Sequence, residues 1–415
     1  MKKIAIIGNM NNNGFSLMRF FRILGADAHL FEFCDDGCNT NSHFKPEFDT
    51  WQMHLWQDFI HKLNVPNSPI ALLGENINLF IGKLKGRKTN PTSVKRMLKE
   101  YDLFIGSGIT PAIFYKNKKK LDIFFPYSTG VEFLEGGSIY GIDSSIEKKI
   151  LTLLARIYQE KGIQESKYIL NSEMGKTQSV LDSINVKSIN LPIPMVFNFD
   201  CDVSDIGFCD NHIEITNRIK NSDFRILSHS SHRWHNQDLD PLRPSKNNNW
   251  LIFALKELII QRPKIKPLLI FIKNGPDVEH SEKLINDLGL QDFVVWLPVM
   301  PRRNLTTILS KINIVAAEFI TTPRTIWGGT GWEALAAGKP LINGFFFQKG
   351  EFFELFGHNP PPILAVRETK DIVRHLVVMY DNPMLCQSLG VESKVWFNNN
   401  NGINLAERWL KLLKI

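Results

Sequence analysis

No apolar run in this chain approaches the ~20 residues needed to span a bilayer, so the sequence offers no transmembrane helix. The start, MKKIAIIGNM, is basic, but its apolar stretch is only Ile4–Ile7. That is too short for a secretory leader and reads as a first strand. Cysteine is scarce: five residues in 415, an odd number and widely scattered. No disulfide framework follows, and a reducing cytoplasm fits. Cys34 and Cys38 lack a second pair at zinc-like spacing. No metal is expected. Gly8 and Gly14 do not make Gly-x-Gly-x-x-Gly, and no acidic partner for a ribose follows at the expected place, which argues against a nicotinamide cofactor.

What remains is ordinary globular composition: 43% hydrophobic and 22% charged residues over a length that suits two or three domains. The formal net charge of +7 is partly local. Gly82–Lys88, Lys95–Lys99 and Tyr115–Leu121 are basic runs in the first third of the chain. Such runs are usually solvated surface; here they also suit peripheral contact with an anionic membrane. They lack interleaved aromatic residues, so nucleic acid is not expected as a partner.

Short β-rich runs alternate with helical stretches from end to end. In the first half they are KIAIIGN, AHLFEF, DLFIGSG, DIFFPYS, KYILNS and VKSINLP; in the second, FRILSHS, PLLIFIK, FVVWLP, INIVAAEF, PLINGF and PILAV. This alternation predicts α/β architecture, with two doubly wound parallel sheets of about six strands each. The run after residue 192 breaks periodicity with prolines and acidic residues. The expected division is 1–195, a linker 196–222, a domain 223–390, and a C-terminal helix 391–415 packing back on the first domain. Ligands of such folds bind at the carboxyl ends of the strands, here expected in a cleft between the domains.

Four loops that follow strands in the second half carry the chemistry. After FRILSHS come Arg233 and, beside a candidate N-cap at Ser245, Lys246. Two cations and a helix start suit a diphosphate. His229, His232 and His235 are close in sequence, but their spacing gives no converging metal geometry. Asn274-Gly275-Pro276 is a turn, and VMPRRNLTTILS is a loop that could lie along a base. The fourth is TIWGGTGWEALAAGKPLI. Thr330 and Glu333 read as a capping box opening a helix from Trp332 to Ala337. Gly338 suits a left-handed end and Pro340 stops continuation. Gly328, Gly329 and Gly331 leave the helix entrance bare, so an anion could approach the amides.

These pieces, in order from about Phe224 to Phe345, resemble the donor domain of family 4 glycosyltransferases (glycosyl transferases group 1) of the GT-B fold. GWEALAAGKPLI is similar to that family's Glu-Ala-x-Ala-x-Gly-x-Pro-Val-Ile signature and is the most specific match. FFPYSTGVEF more weakly resembles a Pro-Tyr-Gly-Ser/Thr-Asp segment of some members. The resemblance implies two Rossmann-like domains and transfer of a sugar from a nucleoside-diphosphate donor to a glycan or lipid-linked hydroxyl, without a cofactor. It suggests bacterial surface glycan synthesis in the cytoplasm or at the inner face of the membrane. Arg233 and Lys246 would meet the diphosphate, and Glu333 the ribose. Gly275, Gly328, Gly329, Thr330 and Gly331 would line the donor. Asn13, Gly14, Tyr127, Ser128 and Thr129 would border the acceptor, with Glu132 a polar or basic group near it. One departure is plain: the family's second glutamate, eight positions before Glu333, is Thr325 here, and Glu318 stands at a different spacing. Retention of anomeric configuration, usual in the family, is therefore less secure. A binding subunit without transfer, or an epimerase or hydrolase of the same fold, is the alternative.

Overall fold

The computed structural model describes residues 2–33, 45–65, 92–127, 131–132, 134–135, 146–171, 176–197, 213–235 and 244–415. The chain divides into two compact units, Met1–Phe197 with Asn401–Ile415, and Asn198–Asn400.

The described residues of the first unit form seven strands: β1 (Lys3–Ile7), β2 (Asp27–Phe33), β3 (Ile60–Leu63), β4 (Leu103–Gly106), β5 (Ile123–Phe124), β6 (Tyr168–Asn171) and β7 (Ile189–Asn190). They lie in the order β3-β2-β1-β4-β5-β6-β7, all parallel. The expected six strands become seven because β3, an edge strand, was not anticipated. Ile4, Ala5, Ile6 and Ile7 are all buried, the continuous apolar pattern of a strand covered on both faces.

After β1 the chain turns through Asn11 and Asn12, both left-handed at φ 54° and 56°, into the helix Asn13–Ile23. Gly14 lets this helix close on the strand: a Cβ there would stand 2.2 Å from the Gly8 carbonyl oxygen. The last helix, Gly402–Leu412, belongs to the same core. Leu405, Ala406 and Trp409 are fully buried with Phe20 and Phe21, and Trp409 Nε1 donates to the Pro192 carbonyl at 2.9 Å. Asn401 opens this helix; its Oδ1 accepts from Gly402 N and from Met195 N.

The second unit contains β8 (Phe224–Ser228), β9 (Pro267–Ile272), β10 (Val294–Leu297), β11 (Ile314–Ala316), β12 (Leu341–Gly344) and β13 (Ile363–Val366). Their order is β10-β9-β8-β11-β12-β13, again all parallel. All six residues of β9 are buried. In each sheet the winding reverses beside the first strand, between β1 and β4 and between β8 and β11. Ligands of doubly wound sheets settle outside the strand ends at such points. Among the described residues no helix is long and apolar enough to cross a membrane.

Candidate functional site

The carboxyl ends of β8 to β11 in the second unit gather the charged side chains. The loop after β8 is stitched to its neighbours through backbone bonds. Lys246 N donates to Arg233 O at 2.7 Å, and Phe319 N to Lys246 O at 3.1 Å. His232 N donates to Asn274 O at 2.7 Å. Arg233 N donates to the Asn248 side chain at 3.0 Å. Arg233 and Lys246, thirteen positions apart, are thus held side by side. Gly275, at φ 111°, lies so close to His232 that a Cβ would meet its carbonyl oxygen at 2.4 Å. Asp277 fastens the other end of the loop by accepting from Trp234 N at 2.6 Å and His235 N at 2.9 Å.

The helix after Lys246 runs from Asn248 to Gln261, with left-handed Asn247 at its N-cap. Ser245, expected there, instead donates from its hydroxyl to the Asn247 side chain at 2.8 Å. The chain must turn sharply before the helix to pass Lys246 beneath Phe319, and that displaces the cap. Lys246 Nζ reaches Glu318 at 2.7 Å, with side-chain exposures of 23% and 12%. The Glu318 carboxylate lies directly under Gly328: a Cβ there would stand 3.1 Å from Oε1.

The glycine-rich stretch opens a helix earlier than expected, Gly329–Ala336, with Gly328 as its N-cap. Gly331 is required by packing, because a Cβ would collide with Trp327 at 2.5 Å. Gly329 has nothing within 4 Å of that position, so one side of the entrance is open beside the first-turn amides. Gly338 ends the helix in the left-handed region, φ 66°.

The expected capping box does not form. No side chain caps this helix, and Thr330 Oγ1 is buried without a hydrogen-bond partner. The Glu333 carboxylate turns toward two distant groups: Arg302 Nε donates to Oε1 at 2.7 Å and His229 Nε2 to Oε2 at 2.8 Å. Tertiary charge pairing outweighs a cap bond worth about 1 kcal/mol. Burial alone would raise this carboxyl's pKa, but the Arg302 charge and the hydrogen bond and charge of His229 overcome it and bring it down to about 2. Glu333 is ionised throughout the physiological range, so His229 Nε2 carries the donated proton.

Arg302 is the first residue of the helix Arg302–Lys311, which begins inside the segment expected as an open loop. The three neighbouring histidines have separate occupations. His229 holds Glu333, His232 Nδ1 contacts Ser281 at 2.9 Å, and His235 stacks on His280 at 3.8 Å. Burial, against the opposing charge of Asp277, lowers His232 to about 4. Among the described residues no group of three or more potential metal ligands converges.

In the first unit, Asn13 and Gly14 begin the helix after β1. Beneath them lies an amide network: Asn9 Nδ2 donates to Asn12 Oδ1 at 2.9 Å and to Glu32 Oε1 at 3.1 Å. Burial raises the Glu32 pKa, against the hydrogen bonds and charge of Lys62 and the bond from Asn9. Tyr127 follows β5, and its N–H donates to Glu132 Oε1 at 2.8 Å. Ser128 and Thr129 lie outside the described residues. Glu132, expected near the acceptor, is 2% exposed. Burial pushes its carboxyl well above the usual range against the N–H groups of Tyr127 and Gly108. Its surroundings make it an internal brace between two loops. The preceding Val131 and Glu132 itself are left-handed, φ 37° and 43°, strain that such a brace holds in place.

His229, Arg302 and Glu318 were not assigned to the site from sequence. Each stands within two residues of a strand's carboxyl end or opens the helix after one, and that position was the available signal.

No family model and no curated protein sequence matches the chain. Solved structures do share its fold over nearly its whole length. Anabaena Alr3699/HepE, in complex with UDP-glucose, has a TM-score of 0.59 at 14% identity, covering 100% of both chains. Sucrose-phosphate synthase from Thermosynechococcus elongatus has 0.57 at 12%, covering 100% of this chain and 98% of that one. A protein from Listeria monocytogenes described as a putative UDP-N-acetylglucosamine 2-epimerase has 0.51 at 12%, covering 99% and 95%. The class that the architecture defines is the two-domain GT-B fold.

Proposed function

We propose that this chain is a glycosyltransferase that moves a sugar from a nucleoside-diphosphate donor to a hydroxyl acceptor. One observation carries the reading. Arg233, Lys246 and the first amides of the helix Gly329–Ala336 belong to one set of strand ends, beside an entrance left open at Gly329. The reaction breaks the bond between the anomeric carbon and a phosphate oxygen and joins that carbon to the acceptor oxygen. Negative charge grows on the departing diphosphate. Fixed cations and helix amides are the groups that stabilise it. The structural neighbours support the donor class, since one was solved with UDP-glucose.

The acceptor is a glycan or lipid-linked hydroxyl, and the product belongs to a bacterial surface glycan; this finer reading rests on the family resemblance. So does retention of anomeric configuration, and Thr325 in the place of a glutamate makes product stereochemistry worth measuring directly. No cofactor is required by the chemistry. Exposed Lys118, Lys119 and Lys120 support contact with an anionic membrane surface.

A thermal-shift screen of nucleotide sugars, followed by product analysis of those that bind, tests the assignment. A stabilising donor that loses its sugar to an acceptor, or slowly to water, supports transfer. Conversion to an epimeric nucleotide sugar would instead make the chain an epimerase. Tight binding without any turnover would make it a binding subunit.

A further inference from the structure

Glu333 poses a problem for the site it lies in. A diphosphate is an anion, and an ionised carboxylate near its binding place opposes its entry. The structure supplies the answer on one oxygen: Arg302 Nε at 2.7 Å from Oε1, with both side chains largely buried, 16% and 11% exposed. His229 holds the other oxygen from a side chain only 5% exposed. Each carboxylate oxygen keeps a second lone pair that a hydroxyl can use.

Arg302 opens a helix and His229 directly follows a strand, so both partners are set by backbone before any ligand arrives. Removing one partner of a buried charge pair costs more than removing both, because the remaining charge is left without compensation.

We propose that Arg302 is the positioning residue of the nucleotide site: its guanidinium fixes the Glu333 carboxylate and cancels its charge, so that nucleoside-diphosphate affinity depends more on Arg302 than on the charge of Glu333. The inference rests on the donor-site reading above.

Calorimetric titration of the full chain with UDP, GDP, ADP and TDP tests both. Wild type must first bind at least one. If it is folded and binds none, the donor-site reading fails and this inference with it. With the nucleotide that binds, Arg302→Met is expected to weaken affinity by about thirty-fold or more, the scale of an unpaired charged group. Glu333→Gln is expected to weaken it by about ten-fold. The double variant Arg302→Met/Glu333→Gln should return to the Glu333→Gln affinity, since no bare charge remains. Arg302→Lys keeps the charge without the Nε geometry and should fall between wild type and Arg302→Met. If Arg302→Met does not fold, Arg302→Lys and the double variant decide. The proposal is overturned, with the donor reading intact, if Arg302→Met binds as wild type does. It is also overturned if the losses of the two single changes multiply in the double variant.

Discussion

Two sheets wound in the same order carry different chemistry at the same topological point. In each, the third, second and first strands are followed across the sheet by the fourth, fifth and sixth. At the reversal in the first unit, the loop after β1 presents asparagines over a buried carboxyl, Glu32, paired with the outward-facing Lys62. At the reversal in the second, the loop after β8 presents Arg233 and Lys246, with Glu318 and Glu333 each already matched to a cation. Winding sets where a ligand can sit; the residues after the strands decide what charge it carries. An amide network over the Glu32–Lys62 pair suits hydroxyls, and fixed cations beside helix amides suit a diphosphate.

The sharpest way to break this contrast is to remove one cation from each unit. Lys246→Ala and Arg233→Ala are expected to lower turnover roughly thirty- to a thousand-fold, about 2–4 kcal/mol of transition-state stabilisation. Lys62→Ala leaves the buried Glu32 carboxyl without that cation and should cost stability, while turnover of the folded protein changes by no more than about three-fold. Steady-state rates with the donor identified by screening check both. Equal losses from Lys62 and Lys246 would erase the distinction.

Acidity should separate the units next. Glu333 has a folded pKa of about 2 against an ordinary 4.5. Its ionised form is favoured by folding, so its contribution is complete above pH 4.5 and is lost as pH falls toward 2. The linkage is about 3 kcal/mol. Glu132 is raised above 4.5. Its contribution is complete below that value and is lost as pH rises through the folded pKa. Denaturant titration from acid to neutral pH should therefore show Glu333→Gln least harmful in acid and Glu132→Gln least harmful near neutrality. Parallel pH profiles for the two variants would contradict the opposite surroundings described for them.

Glycines offer a smaller test. Gly14→Ala places a methyl 2.2 Å from a backbone oxygen and should cost about 1–3 kcal/mol by overpacking. Gly329→Ala meets nothing within 4 Å, so stability should stay within about 0.5 kcal/mol while nucleotide affinity falls. A change that leaves affinity untouched would mean that no ligand approaches there. A separate effect, on membrane contact alone, belongs to the exposed Lys118–Lys120 run. Its replacement by serine should reduce co-sedimentation with anionic vesicles at low salt, at about 1 kcal/mol per basic residue, and leave neutral vesicles unaffected. Identical binding to both vesicle types by the unaltered chain would remove the membrane reading.

Most of the architecture could be read from the chain because buried parallel strands write themselves as uninterrupted apolar runs. Twelve of the thirteen described strands coincide with the β-rich runs read from the sequence. The exception, β3, reads Ile-His-Lys-Leu and lies at an edge, where only part of the strand is covered. The site was half legible. Arg233, Lys246 and Glu333 stood out because they follow strands or mark a known signature. What their partners are could not be read, since Glu333 reaches back 104 positions to the His229 imidazole and 31 to the Arg302 guanidinium. The local Thr330–Glu333 match was a true pattern overruled by stronger distant charges. Short spacings disclose short-range bonds, and a buried carboxylate takes the best donors that the finished fold brings to it.

The final helix has a consequence for how this protein is made. Residues 401–415 complete the core around Phe20 and Phe21, yet they are made after all of residues 198–400. The first unit therefore emerges with the berth of Trp409 empty and must wait, its apolar floor exposed, while some two hundred intervening residues are synthesised. The second unit has its whole sequence available before the tail appears and can fold first, although it comes later in the chain. A unit left unfinished for that long keeps apolar surface exposed, the condition under which nascent chains call on chaperones.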